Sequence, residues 1–519
     1  MRRIILFLFF IAWKLSLSQA ELSQPVRWEV ENKFTEDAYS IVSLNENGLA
    51  LVKDLEKYDD GKKKWELIIL DTSLREQWKT ELELHTDLRF TGYEYLNGRL
   101  NLMFRRNSTD VLLAEMLWID LSSHEIKQSS IDVKLQIRLT HYTVSGNNCV
   151  FGGYVSREPV LLIHDPDKNN TIIVPGFFLT DTELMDVRPN ANETFNIVLF
   201  QRTITDKKII FRTINNVGSI LVEDEIPIDD EKTILSAVTS MLEHDEVLIG
   251  GAFAYKNDKQ ATGIFSCMID PFANQSVQYV ELPILKHFLD YLPEKKAKKV
   301  RDKSNERTNY NKPLNFHTNI NVHRVEEFKN GFALFGESFI ASTASATNMY
   351  TGPYHNQFTP FAYTPYASRY YNNPYLYPAA PVIEEMRMQG GFVIGFDFKG
   401  RRVWDYSIPM DELKIPGRDQ VSDFMVVKNA PYFIYKDDNE LKFAHQPVDT
   451  SRISNTSIIP IKLQNEGEQA KPKEDALGNV RYWYDNFFYV WGIQSIRQRD
   501  RRDLDSSRRV FFINKIQVE

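Results

Sequence analysis

The chain has 519 residues, of which 43% are apolar and 13% aromatic, and its formal net charge is −8. That apolar content is ample for a large core, and an acidic balance argues against nucleic acid as the partner. Only Cys149 and Cys267 are present, so no disulfide framework is built. The core therefore has to hold the fold by itself.

The first twenty residues are typical of a cleaved secretory signal. Arg2 and Arg3 precede an apolar core from Ile4 to Trp13, and Ser18-Gln19-Ala20 has the small residues typical of a signal-peptide cleavage site. The core is too short to span a bilayer, and no later stretch approaches the roughly 20 apolar residues that a transmembrane helix needs. We predict cleavage after Ala20 and a secreted or periplasmic protein with no transmembrane segment in its mature chain; an uncleaved anchor is the alternative.

Strands are predicted from alternation of apolar with polar residues, bounded by Asn, Asp, Gly and charged turns. They recur in units about 50 residues apart, a period that indicates a repeat architecture. The eighth unit supplies three strands, whereas the others have four. In chain order the units span residues 39–84, 89–133, 138–174, 183–226, 234–282, 317–409, 421–463 and 480–516.

The fourth strand missing from the last unit has a donor at the other end of the chain. Residues Pro25 to Phe34 read PVRWEVENKF, and Trp28 occupies the position that Trp78 and Trp404 hold in their own fourth strands. An N-terminal strand that completes the last unit closes a ring and leaves few exposed strand edges. We predict an all-β fold: a β-propeller of four-stranded antiparallel blades over residues 21–519, with eight blades or, alternatively, seven.

Two of the hairpins share a motif. Gly391 to Pro409 reads GFVIGFDFKGRRVWDYSIP, and Glu66 to Leu82 reads ELIILDTSLREQWKTEL, each with an Asp seven positions before a Trp. An apolar strand, an Asp, a turn with Gly and then Trp resembles the repeat of PQQ-type and WD40-like β-propellers. The resemblance implies the fold and no activity. The docking Trp and Gly pattern of quinoproteins does not repeat, so we expect no cofactor.

No catalytic or metal-binding motif can be assembled from residue spacing. The aspartates at strand-to-turn junctions are predicted to cap turns rather than to bind metals; they are Asp71, Asp120, Asp165, Asp270 and Asp397. Polar side chains on the predicted inner strands are candidates for the wall of a central channel: His141, Asp186, His317, His323 and Asp423. His317 and His323 share one face of a strand by parity, which leaves metal ligation as an alternative.

The segment from Met349 to Pro381 contains eight of the 24 tyrosines of the chain together with six prolines. Such proline spacing fits an extended or irregular loop, and aromatic rings with polar tips give contact area at low entropic cost. We predict a binding surface, with a lid over the propeller mouth as the alternative. Its residues are Tyr350, Tyr354, Tyr363, Tyr366, Arg369, Tyr370, Tyr371, Tyr375 and Tyr377.

The four longest connections are predicted to emerge on one face of the ring. In antiparallel blades the second-to-third strand loops and the blade-to-blade loops share a face. The insertions are 285–313 (a probable helix with a basic run), 341–389, 464–477 and 497–508. This favours a non-catalytic binding or scaffold protein for a protein or cell-envelope glycan; the alternative is a polysaccharide hydrolase or lyase at the channel mouth, which should bring carboxylates or histidines together there.

Overall fold

In this computed structural model the described residues are 22–33, 35–106, 112–242, 246–256, 258–270, 275–309, 316–343, 383–410, 413–415, 419–427, 430–445, 456–472, 478–498 and 507–519. They form eight antiparallel sheets arranged as the blades of a β-propeller. This confirms the predicted all-β fold and the choice of eight blades over seven. The type of propeller repeat stays a prediction.

The first four blades each consist of four strands in sequence order. Blade 1 has β2 (Ser40–Ser43), β3 (Leu49–Asp59), β4 (Lys62–Leu70) and β5 (Glu76–His85). Blade 2 has β6 (Leu88–Leu96), β7 (Arg99–Arg106), β8 (Leu112–Asp120) and β9 (Ile126–Val133). Blade 3 has β10 (Ile137–Ser145), β11 (Asn148–Val155), β12 (Glu158–Asp165) and β13 (Asn170–Ile173). Blade 4 has β14 (Thr182–Pro189), β15 (Thr194–Arg202), β16 (Lys207–Asn215) and β17 (Ile220–Pro227).

Blades 5 to 8 follow the same order, with additional short elements in their connections. Blade 5 has β18 (Lys232–Thr239), β19 (Val247–Tyr255), β20 (Gly263–Ile269) and β21 (Gln278–Glu281), followed by α1 (Glu294–Asn309). Blade 6 has β22 (Asn319–Phe328), β23 (Gly331–Thr343), β24 (Ile383–Phe396) and β25 (Arg402–Pro409), and β26 (Lys414–Ile415) joins β24. Blade 7 has β27 (Ser422–Val427), β28 (Ala430–Asp437), β29 (Glu440–His445) and β30 (Ser457–Pro460). Blade 8 has β31 (Glu468–Ala470), β32 (Gly478–Tyr484), β33 (Phe487–Gln498), β34 (Ser507–Val518) and β1 (Leu22–Glu31). Short 3₁₀ helices lie at Asn45–Asn47 and Leu282–Ile284.

The first of the main strands of each blade, which is β32 in blade 8, lies closest to the propeller axis, because these strands contact one another between neighbouring blades. Middle strands such as β15 and β19 are buried along almost their whole length, whereas the outer strand β5 alternates between exposed and buried side chains. A strand packed on both faces by neighbouring blades needs a continuous apolar run, and a strand at the rim needs apolar residues on one face only. The core is therefore divided among the interfaces between blades.

The two ends of the chain share blade 8. β1 pairs antiparallel with β34, with Glu29 opposite Phe512 and Val30 opposite Phe511. Trp28 packs edge-on against Tyr39 of blade 1, with the ring centroids 6.0 Å apart. The predicted closure of the ring by the N-terminal strand is confirmed, and Trp28 contacts the neighbouring blade as well as its own.

A β-bulge interrupts the innermost strand of six blades, namely β6, β10, β14, β18, β22 and β32. The extra residue in each strand shifts the side-chain alternation halfway along. In β22 the bulged residue is His323, which lies between the paired residues Val322 and Arg324. Parity counted straight through such a strand therefore assigns the wrong face to one half of it.

Candidate functional site

One face of the ring carries the second-to-third strand loops and the connections between blades; we call it the insertion face. An isolated bridge pairs Ala261, in the second-to-third strand loop of blade 5, with Thr318, which leads into blade 6. The β23–β24 hairpin has strands of 13 and 14 residues, and β33 and β34 have 12 each, whereas β15 and β16 have nine. The hairpins of blades 6 and 8 therefore extend further on this face than the β15–β16 hairpin of blade 4.

Short strands brace both projecting hairpins. β26 pairs with β24 through Met386 and Ile415, and β31 pairs with β33 through Ala470 and Ile496. Both short strands belong to blade-to-blade connections, and β31 lies inside the insertion at residues 464–477. The backbones of both hairpins are thus hydrogen-bonded to a third strand, which makes this part of the insertion face rigid.

The insertion at residues 285–313 contains α1. Ala297 is buried against Leu285 and Phe288, and the Arg301 guanidinium donates to the Lys286 carbonyl oxygen at 2.7 Å. The opposite side of the helix is exposed and basic, with Lys295, Lys296, Lys298 and Lys299. Within the described part of the chain these four lysines form no ion pair, so α1 presents uncompensated positive charge on an otherwise acidic protein.

The predicted tyrosine-rich surface starts from the β23–β24 hairpin of blade 6. Thr343 of β23 is paired with Ile383 of β24, so the two ends of the intervening segment leave the fold side by side. The eight tyrosines and Arg369 lie outside the described residues, and their role in binding stays a prediction.

The acidic channel candidates Asp186 and Asp423 hold neighbouring blades together. Asp186 is buried and accepts a hydrogen bond from the backbone N–H of Thr239, in blade 5, at 2.8 Å. Asp423 is buried as well; it accepts from Arg324 of blade 6 at 2.6 Å and from the backbone N–H of Tyr482 of blade 8 at 2.9 Å. These contacts give both carboxylates a structural role, and any part they have in lining the channel stays a prediction.

The histidine candidates lie in different environments. His141 is buried, with Nδ1 2.7 Å from the hydroxyl of Thr140. His317 lies just before β22 on the insertion face, where Nδ1 is 2.9 Å from a carboxylate oxygen of Asp258. His323 is buried on the bulge of β22. Because His317 is outside the strand and His323 is on its bulge, the two rings do not share a strand face as parity had suggested.

Sequence reasoning missed Glu337, which organises the contact between blades 6 and 7. Its carboxylate is fully buried and 2.9 Å from Nε2 of His323. It also accepts hydrogen bonds from the backbone N–H of Ser422 at 2.7 Å, from the Ser422 hydroxyl at 2.6 Å and from the backbone N–H of Val421 at 3.1 Å. The available signal was a carboxylate inside the apolar run GFALFGESFI, since a buried acid has to be paired.

Two further carboxyl groups lie where inner strands begin at the insertion face. Burial raises the pKa of Glu183, near the start of β14, to about 7 against the opposing charge of Arg202. Burial also raises the pKa of Asp419, just before β27, and the nearby Glu337 carboxylate adds to the effect. A carboxyl group with a pKa near 7, such as that of Glu183, is the kind that general acid catalysis uses.

Replacing Glu183 by Gln is expected to stabilise the protein at pH 8 by about 1–3 kcal/mol and to have little effect near pH 4.5. Since the folded-state pKa lies above the ordinary value of 4.5, the folded protein binds the extra proton between these values. The free energy of unfolding therefore falls as pH rises through this window, and Gln removes the fall. Urea denaturation at both pH values measures the effect.

The matched control for this experiment is Glu225→Gln, which alters an exposed glutamate on the outer strand of the same blade. It should change stability by less than about 1 kcal/mol at either pH. A Glu183→Gln variant whose stability relative to the parent is independent of pH would contradict the raised pKa.

The aspartates at strand-to-turn junctions cap turns, as predicted, in four cases. Asp71 accepts from the backbone N–H groups of Ser73 and Arg75, both at 2.8 Å. Asp120, Asp165 and Asp397 make equivalent backbone contacts in their turns. In the described ranges no group of three or more His, Cys, Asp or Glu side chains is placed to hold a metal ion. Nor does any helix in those ranges have the length and apolar run needed to cross a membrane.

Comparison with known proteins gives similarity at the level of fold only. No protein-family model matches the sequence, and no curated protein matches it. Among solved structures, the polysaccharide lyase Uly1 is similar over 94% of this chain and 100% of its own, with 9% identity and a TM-score of 0.38. The β-propeller domain of the Trilobed protease from Pyrococcus furiosus is similar over 82% and 94%, with 8% identity and a TM-score of 0.31. A prolyl endopeptidase structure is similar over 90% of this chain, with 7% identity and a TM-score of 0.34. The match covers only 54% of the length of that endopeptidase.

Proposed function

We propose that this protein is a non-catalytic binding or scaffold protein that acts outside the cytoplasm and engages a protein or a cell-envelope glycan through its insertion face. The observation that carries the proposal is the one-sided elaboration of the ring. The projecting hairpins of blades 6 and 8, their bracing strands and α1 all belong to connections of that face. A rigid propeller with one elaborated face suits recognition because loops held on a scaffold lose little entropy on binding.

The chemistry of the face supports a polar or anionic partner. The exposed lysines of α1 provide steering charge, and the sequence between Thr343 and Ile383 provides tyrosines, which supply large contact area with few rotatable bonds. Aromatic anchors surrounded by polar groups are the usual composition of binding hot spots. The partner is therefore expected to contact the tyrosine-rich segment, with α1 contributing to the association rate.

Replacing residues 349–381 by a short Gly-Ser linker is expected to abolish capture of the partner while leaving the thermal midpoint unchanged. The flanking strands are already paired with each other at Thr343 and Ile383, so a linker closes the hairpin without disturbing the blade. Pull-down from the native envelope fraction, compared with the parent protein, measures capture. Cleavage after Ala20 is checked on the same material by the mass of the mature N-terminus.

The matched control is Lys168→Ala, which removes an exposed charge from a turn on the opposite face and should leave capture intact. Capture that survives the loop replacement would contradict the proposal. Equal loss in both variants would also contradict it, because binding would then not depend on the insertion face.

A second candidate, a polysaccharide hydrolase or lyase, is favoured by the raised pKa values of Glu183 and Asp419 at the insertion-face ends of their strands. Such an enzyme would release new reducing ends or unsaturated products from an envelope polysaccharide. Glu183→Gln and Asp419→Asn should then abolish release while leaving pull-down unchanged, which separates catalysis from binding.

A further inference from the structure

The face opposite the insertion face carries the first-to-second and third-to-fourth strand turns; we call it the turn face. A groove of ≈ 440 Å³ opens there between the outer parts of blades 2 and 3. Trp118, Lys127 and Ser129 line it from blade 2, and Asn147 and Asp167 line it from blade 3. The groove is separate from the binding surface proposed above.

Strand register explains why these side chains face each other. Lys127 is opposite Trp118 and Ser129 is opposite Met116, which places all four on one face of blade 2. Met116 and Trp118 pack in the same core cluster as Leu162 of blade 3, so this face is the one turned toward blade 3. His164 follows Leu162 by two residues on β12 and thus extends that packing face to the groove.

At the base of the groove a serine and a histidine from different blades are in contact. The hydroxyl oxygen of Ser129 lies 3.0 Å from Nε2 of His164, and Nδ1 of His164 lies 2.9 Å from the hydroxyl oxygen of Thr171. Ser129 is also 3.4 Å from the side-chain oxygen of Asn169, a longer and weaker contact. His164 is 1% exposed, whereas Ser129 is partly accessible and lines the groove.

This arrangement suits proton abstraction from Ser129. When Nδ1–H of His164 donates to Thr171, Nε2 is left as an acceptor for the serine hydroxyl. Burial lowers the pKa of His164, with Asp165 opposing, so the imidazole is neutral at physiological pH and free to take a proton. A nucleophile in contact with a base that a third group orients is the general pattern of nucleophilic catalysis.

We propose that Ser129 is an activated nucleophile that hydrolyses small carboxylic esters bound in this groove, with His164 as the general base. As the serine oxygen bonds to the carbonyl carbon, its proton moves to Nε2 of His164. The ester C–O bond then breaks and the alcohol leaves with that proton, giving acyl-Ser129. Water then attacks the acyl carbon and gives a proton to Nε2 of His164. The bond between the acyl carbon and the Ser129 oxygen breaks, His164 returns the proton to that oxygen, and the carboxylic acid leaves.

The other groove residues indicate which esters fit. Lys127 lines the groove on the same face of β9 as Ser129, two residues away. A positive charge there stabilises the negative charge that develops on the carbonyl oxygen of the ester. The indole N–H of Trp118 is buried beside the groove and has no hydrogen-bond partner among the described residues. The mouth is polar, with Asn147 and Asp167, so the alcohol portion of the ester is expected to be hydroxylated or otherwise polar.

The test is covalent labelling of the intact protein with a fluorophosphonate probe, followed by peptide mass spectrometry. The expected result is label on Ser129 together with hydrolysis of p-nitrophenyl acetate, both absent in Ser129→Ala. His164→Asn should slow labelling at least 100-fold. The control Ser130→Ala, an exposed serine on the other face of β9, should keep the parental labelling rate.

Failure of the folded parent protein to take the label at Ser129 would overturn the proposal, and this needs no variant to fold. Equal labelling rates in the parent and a folded His164→Asn protein would overturn it as well. Replacement of residues 349–381 should leave labelling unchanged, so the outcome is independent of the binding function proposed for the insertion face.

Discussion

Deletion of residues 22–31 is expected to lower the free energy of unfolding by more than about 4 kcal/mol and to make the protein associate. β1 is the outer strand of blade 8, and its removal exposes the edge of β34 along Phe511, Phe512 and Ile513. An unpaired apolar edge is a template for pairing with another chain. Chemical denaturation measures the loss of stability, and light scattering measures the association.

The side chains of β1 also stabilise blade 8 and its contact with blade 1. The Arg27 guanidinium donates to the side-chain oxygens of Asn514 and Gln494, both at 3.0 Å, which ties β1 to the two strands beneath it. Trp28 is packed between Tyr39 and Phe511, so removing it opens the contact with blade 1 as well. The loss of stability is therefore expected to reach both blades that meet at the closure.

A peptide of residues 22–31 supplied in trans provides the control for this deletion. It should bind the open edge, raise the thermal midpoint in a concentration-dependent way and suppress association. A scrambled peptide of the same composition should do neither. A truncated protein that remains monomeric with an unchanged midpoint would show that the ring is stable without the shared blade.

The features of this protein that repeat in the sequence could be predicted from it. Alternating apolar residues located the strands, including the closing strand β1. The predicted equivalence of the three tryptophans was wrong in detail, because Trp28 is the seventh residue of its strand, whereas Trp78 and Trp404 are each the third of theirs. Turn-capping aspartates were equally accessible, since their contacts span only two to four residues. Such features depend on local chemistry, which a single sequence contains.

Contacts between blades could not be predicted in the same way. Ser129 and His164 are 35 residues apart, and Glu337 of blade 6 and Ser422 of blade 7 are 85 residues apart. The stagger between neighbouring blades, unlike the strands themselves, has no period in the sequence. The channel candidates show the consequence, because Asp186 and Asp423 were chosen by strand position and their contacts depend on blade packing.

Glu337→Ala is expected to destabilise the protein by about 3–5 kcal/mol, among the largest effects of any single side chain. The carboxylate is the shared acceptor for Val421, Ser422 and His323. Removing it leaves buried donors of blade 7 without an acceptor and leaves His323 without its partner. Urea denaturation should show a lower midpoint with an unchanged slope.

Glu337→Gln and Ser422→Ala separate the contributions of charge and of the blade-to-blade contact. Gln retains one oxygen acceptor at nearly the same size, so its loss should be about half that of Ala. In a double-mutant cycle Glu337→Ala and Ser422→Ala should couple by about 1 kcal/mol or more, because their side chains share a 2.6 Å hydrogen bond. Additive losses would mean that Glu337 acts within blade 6 alone. Strong coupling instead identifies it as the side chain through which blade 6 fixes the position of blade 7, and hence the spacing of the inner strands beneath the insertion face.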